Sequence, residues 1–356
     1  MLAGGCGGTS NASGPASNDP VVRQAQAAVE RAPSLAEYRR PESGPPAQAR
    51  APVILVAADL TNGGIAAVAH GVQEAAGAIG WPLRVLNGQA TAEGQSAALH
   101  EALRLRPGGI ILGGVSASEQ QPALREARAL GVPVVAWQAT ATPGPQPTLG
   151  LFTNVTSYPA VVGRLAADWA IAESGGRAGV VIMTDSESPV DVATSAVMAS
   201  EIGRCAGCSV LQVSREPLAT AATSSAATTT AFLEQFGPRL GYLLATSNAF
   251  IEGAKDALIG AGRRGDQRPF SIVAGEGIEA EFTRIRGEEY QKATVAEPLI
   301  MEGWQLIDEL NRARARQPAS HYVPPPRLIT QSNVPSGAVF DPPSGYREDY
   351  ERIWHR

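Results

Sequence analysis

From Pro52 onward the chain alternates short apolar runs with longer stretches whose apolar residues recur every three or four positions. Residues 53–58 form a run of the kind that is buried on both faces of a sheet, and 65–79 carry helical spacing that stops at Gly80. The pattern repeats with a strand at 83–86 and a helix at about 92–105, stopped by Pro107-Gly108-Gly109. A strand at 110–112, a helix ending near Leu130 before Gly131, and a strand at 134–137 follow.

A second series starts after residues 149–152. It predicts a helix near 158–174, a strand at 179–183, a helix at about 190–203 and a strand at 209–213. An Ala/Thr-rich segment leading into 232–236 is followed by a strand at 242–245, a helix at 249–261, a strand at 271–274, a helix near 278–286 and a strand at 293–296. Strands alternating with helices of this length imply parallel sheets covered on both faces, so the pattern predicts two α/β lobes of one build. In open parallel sheets ligands bind outside the carboxyl ends of the strands. Two such lobes facing one another would line a single cleft.

Composition narrows the picture. The 356 residues are 44% hydrophobic and 18% charged, with 38 Gly and 27 Pro, which fits a loop-rich globular protein of about two domains needing no disulfide scaffold. The net charge is 29 − 34 = −5 with no block of like charge, which argues against a nucleic-acid partner. Gly, Pro, Ser and charged residues interrupt every apolar run, so no transmembrane helix is expected.

Residues 1–50 begin Met1-Leu2-Ala3-Gly4-Gly5-Cys6 and continue through a Gly/Ser/Pro-rich stretch with no apolar period, which reads as a flexible tether. Small residues leading into Cys6 match the end of a bacterial lipoprotein signal, although the basic and apolar parts of such a signal are missing. Cys6 is thus either a lipid anchor or incidental. The other two cysteines form Cys205-Ala206-Gly207-Cys208. This pair follows a helix rather than opening one, and His70, His100, His321 and His355 are scattered, so a disulfide closing the helix-to-strand turn is favoured over a redox or zinc site.

The candidate chemistry lies just past the strands. Asn62, in the loop Asp59-Leu60-Thr61-Asn62-Gly63-Gly64, suits a helix cap or a ligand contact equally, and the loop matches no phosphate-binding motif. Trp137-Gln138 offers a flat ring beside an amide, though Trp137 also suits a core. Asp185, Ser247, Asn248, Glu276 and Glu297 complete the set of polar residues at strand ends. Two of the carboxylates would suit glycoside hydrolysis, but no nucleophile elbow or metal motif supports an enzyme.

The runs Val53 to Gly64, Gly77 to Trp81, Gly109 to Gly114, Gly131 to Trp137 and Ala293 to Pro298, with the helix after Met301, together resemble the type I periplasmic binding proteins of the ribose-binding group, the capture components of ABC importers. The likeness spans about residues 52–334 in the family's order. It implies two Rossmann-like, doubly wound parallel-sheet lobes joined by a three-segment hinge near Asn154, near Glu297 and near 324–328. One lobe would comprise 51–154 plus 298–325 and the other 155–297 plus 326–335. The extension 336–356 would pack through Phe340, Tyr346, Tyr350 and Trp354.

The resemblance also implies ligand contacts at Asn62, Ile65, Gln138, Ala139, Thr194, Ser247 or Asn248, Glu276 and Glu297. Sugar binders of this group commonly carry an Asp-Arg pair after the fourth strand and an Arg in the second lobe's helix. Here those places read Gln138-Ala139 and Thr194, while Glu276 and Glu297 make the pocket amide-rich and acidic. An ordinary pentose is therefore disfavoured against a neutral polyol or a ligand bearing an amine or a ring that stacks on Trp137. The implied protein is a periplasmic, lipid-anchored monomer without cofactor that closes on its solute and presents it to a permease in the inner membrane. A sensor for a chemotaxis or kinase receptor is the alternative, and a hydrolase using the carboxylates is less favoured.

Overall fold

A computed structural model describes residues 19–32, 38, 39 and 41–356; Cys6 lies outside the described residues. The chain runs α1 (Pro20–Arg31), β1 (Val53–Ala57), α2 (Gly63–Ile79), β2 (Leu83–Asn87), α3 (Ala92–Arg104), β3 (Gly109–Gly113), α4 (Gln121–Ala129), β4 (Val134–Trp137), β5 (Gly144–Gln146) and β6 (Leu151–Val155). It continues through α5 (Pro159–Glu173), β7 (Gly179–Asp185), α6 (Pro189–Arg204), β8 (Ser209–Glu216), α7 (Leu218–Phe236), β9 (Tyr242–Ala245), α8 (Ala254–Gly260), β10 (Phe270–Ala274), α9 (Glu279–Arg286) and β11 (Gln291–Ala296). Helix α10 (Leu299–Arg314), β12 (Arg327–Thr330) and α11 (Tyr346–Trp354) complete it.

The strands form two six-stranded sheets, ordered β2-β1-β3-β4-β6-β5 and β12-β11-β10-β9-β7-β8. Every pairing is parallel except at the outer strands β5 and β12, which are antiparallel to β6 and β11. Read from β2 and from β8, the two orders are the same winding with a topological switch, between β1 and β3 in one lobe and between β7 and β9 in the other. β1, β3 and β4 are buried throughout because helices cover both faces of their sheet. Their carboxyl ends point at the opposing lobe, and this places the site.

Glycines set the closest helix approaches. A Cβ on Gly71 of α2 would lie 2.4 Å from the Ile300 carbonyl oxygen, and one on Gly303 of α10 would lie 2.6 Å from the Gly71 carbonyl carbon. Backbone therefore meets backbone where α10 crosses α2. In the second lobe a Cβ on Gly163 of α5 would lie 2.5 Å from the Thr194 carbonyl oxygen of α6.

Three features differ from the sequence reading. Residues 20–31, read as part of a flexible tether, form α1: Asp19 caps it by accepting from the Val21 N–H at 2.8 Å, and Pro20 occupies its first turn. Val22 and Ala25, three apart, bury that face in the second lobe's core against α5. Residues 41–50 are also held, since the Asn311 amide of α10 donates to the Pro45 carbonyl at 3.0 Å and accepts from the Gln48 N–H at 2.9 Å. Thirdly, the helix expected at 249–261 is split into a 3-10 turn, Asn248–Phe250, and α8. Gly253 stands at the break, where its N–H donates to Ser225 Oγ of α7 at 2.9 Å and a Cβ would clash at 2.6 Å.

The segment after β12 returns across both lobes. Val339 pairs with Ile278, and the Phe340 N–H donates to the Gly277 carbonyl at 2.9 Å. Helix α11 then lies on the first lobe, with Trp354 stacked on Trp304 of α10 at 5.6 Å between ring centroids and its indole N–H donated to Asp308 at 3.0 Å.

Candidate functional site

The strand-end loops of both lobes enclose one cleft. From the first lobe, Asn62 and Ile65 follow β1, Ser116 and Glu119 follow β3, Trp137 and Gln138 end and follow β4, and Gln95 comes from α3. The second lobe supplies Asp185 at the end of β7, Asp191 and Thr194 of α6, Thr246 and Ser247 after β9, and Glu276 after β10. Glu297 and Ser157 lie on two of the crossings between lobes. Of the residues singled out from sequence, Asn62, Ile65, Trp137, Gln138, Asp185, Thr194, Ser247, Glu276 and Glu297 line this cleft. Asn248 and Ala139 stand behind its wall.

Asn62 caps a helix and also reaches across the cleft. Its Oδ1 accepts from the Ile65 N–H at 2.9 Å and caps α2, while its Nδ2 reaches across the cleft to Ser247 Oγ at 3.3 Å and Glu276 Oε1 at 3.5 Å. Glu276 is buried and held from its own lobe as well: Ser247 Oγ donates to it at 2.7 Å and the Asn248 N–H at 3.0 Å. The Asn248 side chain turns away and accepts from Arg284, whose guanidinium also donates to Gln291 at 2.8 Å. Asn248 thus supports Glu276 through its backbone.

Gln138 takes a left-handed backbone, φ 54°, which costs a residue with a side chain about 1–3 kcal/mol. This conformation accompanies an amide that donates to Glu297 Oε2 at 2.9 Å, and a backbone N–H that donates to the Val155 carbonyl at 3.1 Å. Trp137 is buried with its indole N–H donated to Glu302 of α10 at 2.7 Å, so the ring is fixed from behind and its surface borders the cleft. Ser157 Oγ donates to the Pro324 carbonyl at 2.9 Å, tying two crossings together.

The electrostatics are one-sided. Asp59, Glu119, Asp185, Glu187, Asp191, Glu276 and Glu297 line the cleft, and among the described residues no Lys, Arg or His does. Burial raises the Glu276 carboxyl above its usual range, and its hydrogen bonds from Ser247 and Asn248 oppose that shift. Asp191 is raised well above its usual value by burial, then by the charges of Asp185 and Glu276. Glu297 is likewise raised well above, by burial and by Glu302, which burial itself lifts to about 7. Behind Glu276, burial and the Glu276 charge push Glu281 up to about 8, so it keeps its proton at neutral pH. Among the described residues no group of three His, Cys, Asp or Glu side chains is arranged to hold a metal ion.

Sequence reasoning missed Asp191, Glu119, Gln95, Ser116 and Thr246. For Asp191 a signal existed: Ser188 caps α6 through the Asp191 N–H at 3.3 Å, and the first turn of a helix that opens after a strand faces the site. Away from the cleft, Cys205 and Cys208 lie at the α6-to-β8 turn with Cα atoms 5.2 Å apart and their sulfurs in a disulfide arrangement.

The family model described as a periplasmic binding protein domain matches residues 53–316. No protein of curated function matches the chain in sequence. Among solved structures, GanP, a glucose-galactose binding protein from Geobacillus stearothermophilus, is similar with TM-score 0.71 and 18% identity, over 81% of this chain and 100% of that one. A Caulobacter myo-inositol binding protein bound to myo-inositol gives TM-score 0.69 and 18% identity over 81% and 96%. The binding component of an arabinose ABC transporter from a Shewanella species, bound to L-arabinofuranose, gives 0.70 and 16% over 85% and 95%. At such identities the likeness bears on the fold.

Proposed function

The chain belongs to the periplasmic binding protein domain family, and from that premise we propose that it captures a small polar solute between its lobes and delivers it to an ABC permease. The observation that carries this reading is the cleft itself, where Asn62 of one lobe meets Ser247 and Glu276 of the other at the switch points of both sheets. Hydrogen bonds that bridge the lobes form only when they approach, so a solute that joins the same groups favours closure. The ligand set is Asn62, Ile65, Trp137, Gln138, Asp185, Thr194, Ser247, Glu276 and Glu297, with Asp191 added and Asn248 in a supporting role. The solute is a sugar-like polyol or a non-sugar compound bearing an amine or a ring; the glucose-galactose, arabinose and myo-inositol binding of similar proteins is in keeping with the first.

The carboxylates act as hydrogen-bond acceptors, and no bond is made or broken. The protein acts as a monomer in the periplasm or at the cell surface, anchored through Cys6, with Cys205 and Cys208 oxidised as that compartment allows. A thermal-shift screen of the whole chain against sugars, polyols, amines and small aromatics tests the reading. A ligand at 100 times its Kd adds about 2.7 kcal/mol of stability. The hit is expected to weaken in both Glu276→Gln and Trp137→Ala; a hit indifferent to both removes the cleft as the site.

A further inference from the structure

We infer that the solute carries a protonated amine on a hydroxylated frame, an amino sugar or aminocyclitol, with the ammonium seated among Asp191, Glu276 and Glu297. The inference rests on the reading of the cleft as a solute site and names the class of solute. Three observations carry it.

The first is the absence of any basic side chain along a lining that contains seven carboxylates. None of the seven takes part in the salt bridges formed among the described residues, which lie at 13 other pairings such as Arg312 with Asp308. Buried charges are ordinarily paired or hydrogen-bonded, so a cavity that gathers charges of one sign is completed by a ligand of the other.

The second is which acids are buried and where they come from. Glu276 and Glu297 are 6% and 2% exposed, and with Asp191 they reach the cleft from three separate elements: the loop after β10, a crossing between lobes, and the first turn of α6. All three line the one cleft, where the Asp191 charge raises the Glu297 carboxyl and the Glu276 charge raises that of Asp191. The remaining charged groups about them are Asp185 beside Asp191, Glu302 behind Glu297, and Glu281 with Arg284 behind Glu276. Arg284 is the one cation of that set, and it is engaged outside the lining by Asn248 and Gln291.

The third is the rest of the wall. Asn62, Gln138, Ser247 and Thr194 offer donors and acceptors suited to hydroxyls, and Trp137 offers a flat face suited to the apolar side of a ring or to an adjacent cation. An inorganic cation fits less well, because among the described residues no three His, Cys, Asp or Glu side chains stand close enough to ligate a metal ion, whereas an ammonium is met by acceptors standing farther apart.

The test is isothermal titration of the full chain with matched pairs: glucosamine against glucose, galactosamine against galactose, and 2-deoxystreptamine against myo-inositol. The expected result is that at least one amine binds tenfold or more tighter than its partner at pH 7.5. Asp191→Asn should then weaken that amine at least tenfold and weaken its neutral partner by a clearly smaller factor, with the melting temperature of the variant confirming a folded protein. Neutral members binding tighter overturns the inference and leaves solute capture standing. If every compound of both series fails to bind, both fall. An amine that binds equally well to wild type, Asp191→Asn and Glu276→Gln overturns the placement of its charge.

Discussion

At the carboxyl ends of its strands the first lobe offers Asn62, Gln95, Ser116, Trp137 and Gln138, with Asp59 and Glu119 only at its more exposed margin. At the corresponding point the second lobe offers Asp185, Asp191, Ser247 and Glu276. The strand order that creates the two positions is the same, so the winding supplies the place and not the chemistry. One wall presents amides and an indole; the other gathers the buried acids. The lobes also differ in what covers them. α11 and its aromatic stack close the first, whereas α1 packs on α5 of the second.

The largest effect is expected from the first lobe's cover. Trp354→Ala removes the stack on Trp304 and the donor to Asp308, at a cost of about 3–5 kcal/mol in urea unfolding. Val22→Ala, on the cover of the second lobe, should cost about 2 kcal/mol. A similar cost for Val22→Ala and Trp354→Ala would mean that α11 does not hold the first lobe together.

Next come the two glycine crossings. Gly303→Val forces α10 off α2 and should cost about 3 kcal/mol without a specific effect on the cleft. Gly163→Val should cost a similar amount and also weaken ligand binding, because the atom it displaces is the carbonyl of Thr194, whose side chain lines the second wall. Equal ligand affinity in both variants, once corrected for stability, would separate the crossing from the site.

Smaller and opposite in sign is the effect of relieving the acidic wall. Asp191→Asn replaces a half-buried carboxyl whose charged form is disfavoured by desolvation and by Asp185 and Glu276, and should stabilise the ligand-free protein by about 1 kcal/mol in thermal unfolding. The amide substitution Glu119→Gln, at the exposed margin of the other wall, should leave the melting temperature unchanged.

Set apart from the substitutions is the pH dependence of the ligand-free fold. Glu281 at about 8, Glu302 and Glu309 at about 7 and Asp168 at about 6 all hold protons more tightly when folded than in an unfolded chain, where carboxyls titrate near 4. Their contribution is fully present below about pH 4 and is lost as pH rises through about 6 to 8. The melting temperature should therefore fall between pH 5.5 and 8.5. A rise over that range would contradict the upward shifts of Glu281 and Glu302.

Much of this was legible in the sequence because fully buried strands announce themselves. β1, β3, β4 and β9 are unbroken apolar runs each preceded by Gly or Pro, and the residue past each one faces the cleft by topology alone. What stayed hidden depends on partners distant in the chain. α1 looks like a linker because its buried face is only Val22 and Ala25, and its worth comes from α5. The break before α8 is set by Ser225 of α7, which no local pattern reveals. Asn248 was placed in the site and Asp191 was passed over for one reason: the direction of a side chain past a strand is fixed by what binds it, here Arg284 for Asn248.

The account's central claim is that one solute joins two chemically different walls and so closes the cleft. Small-angle X-ray scattering of the whole chain, alone and saturated with the tightest-binding compound, tests it most directly. The predicted result is a smaller radius of gyration on saturation, with the decrease abolished when Asn62→Ala and Glu276→Gln remove the groups that face each other across the cleft. A radius that is unchanged by a saturating ligand would contradict the claim.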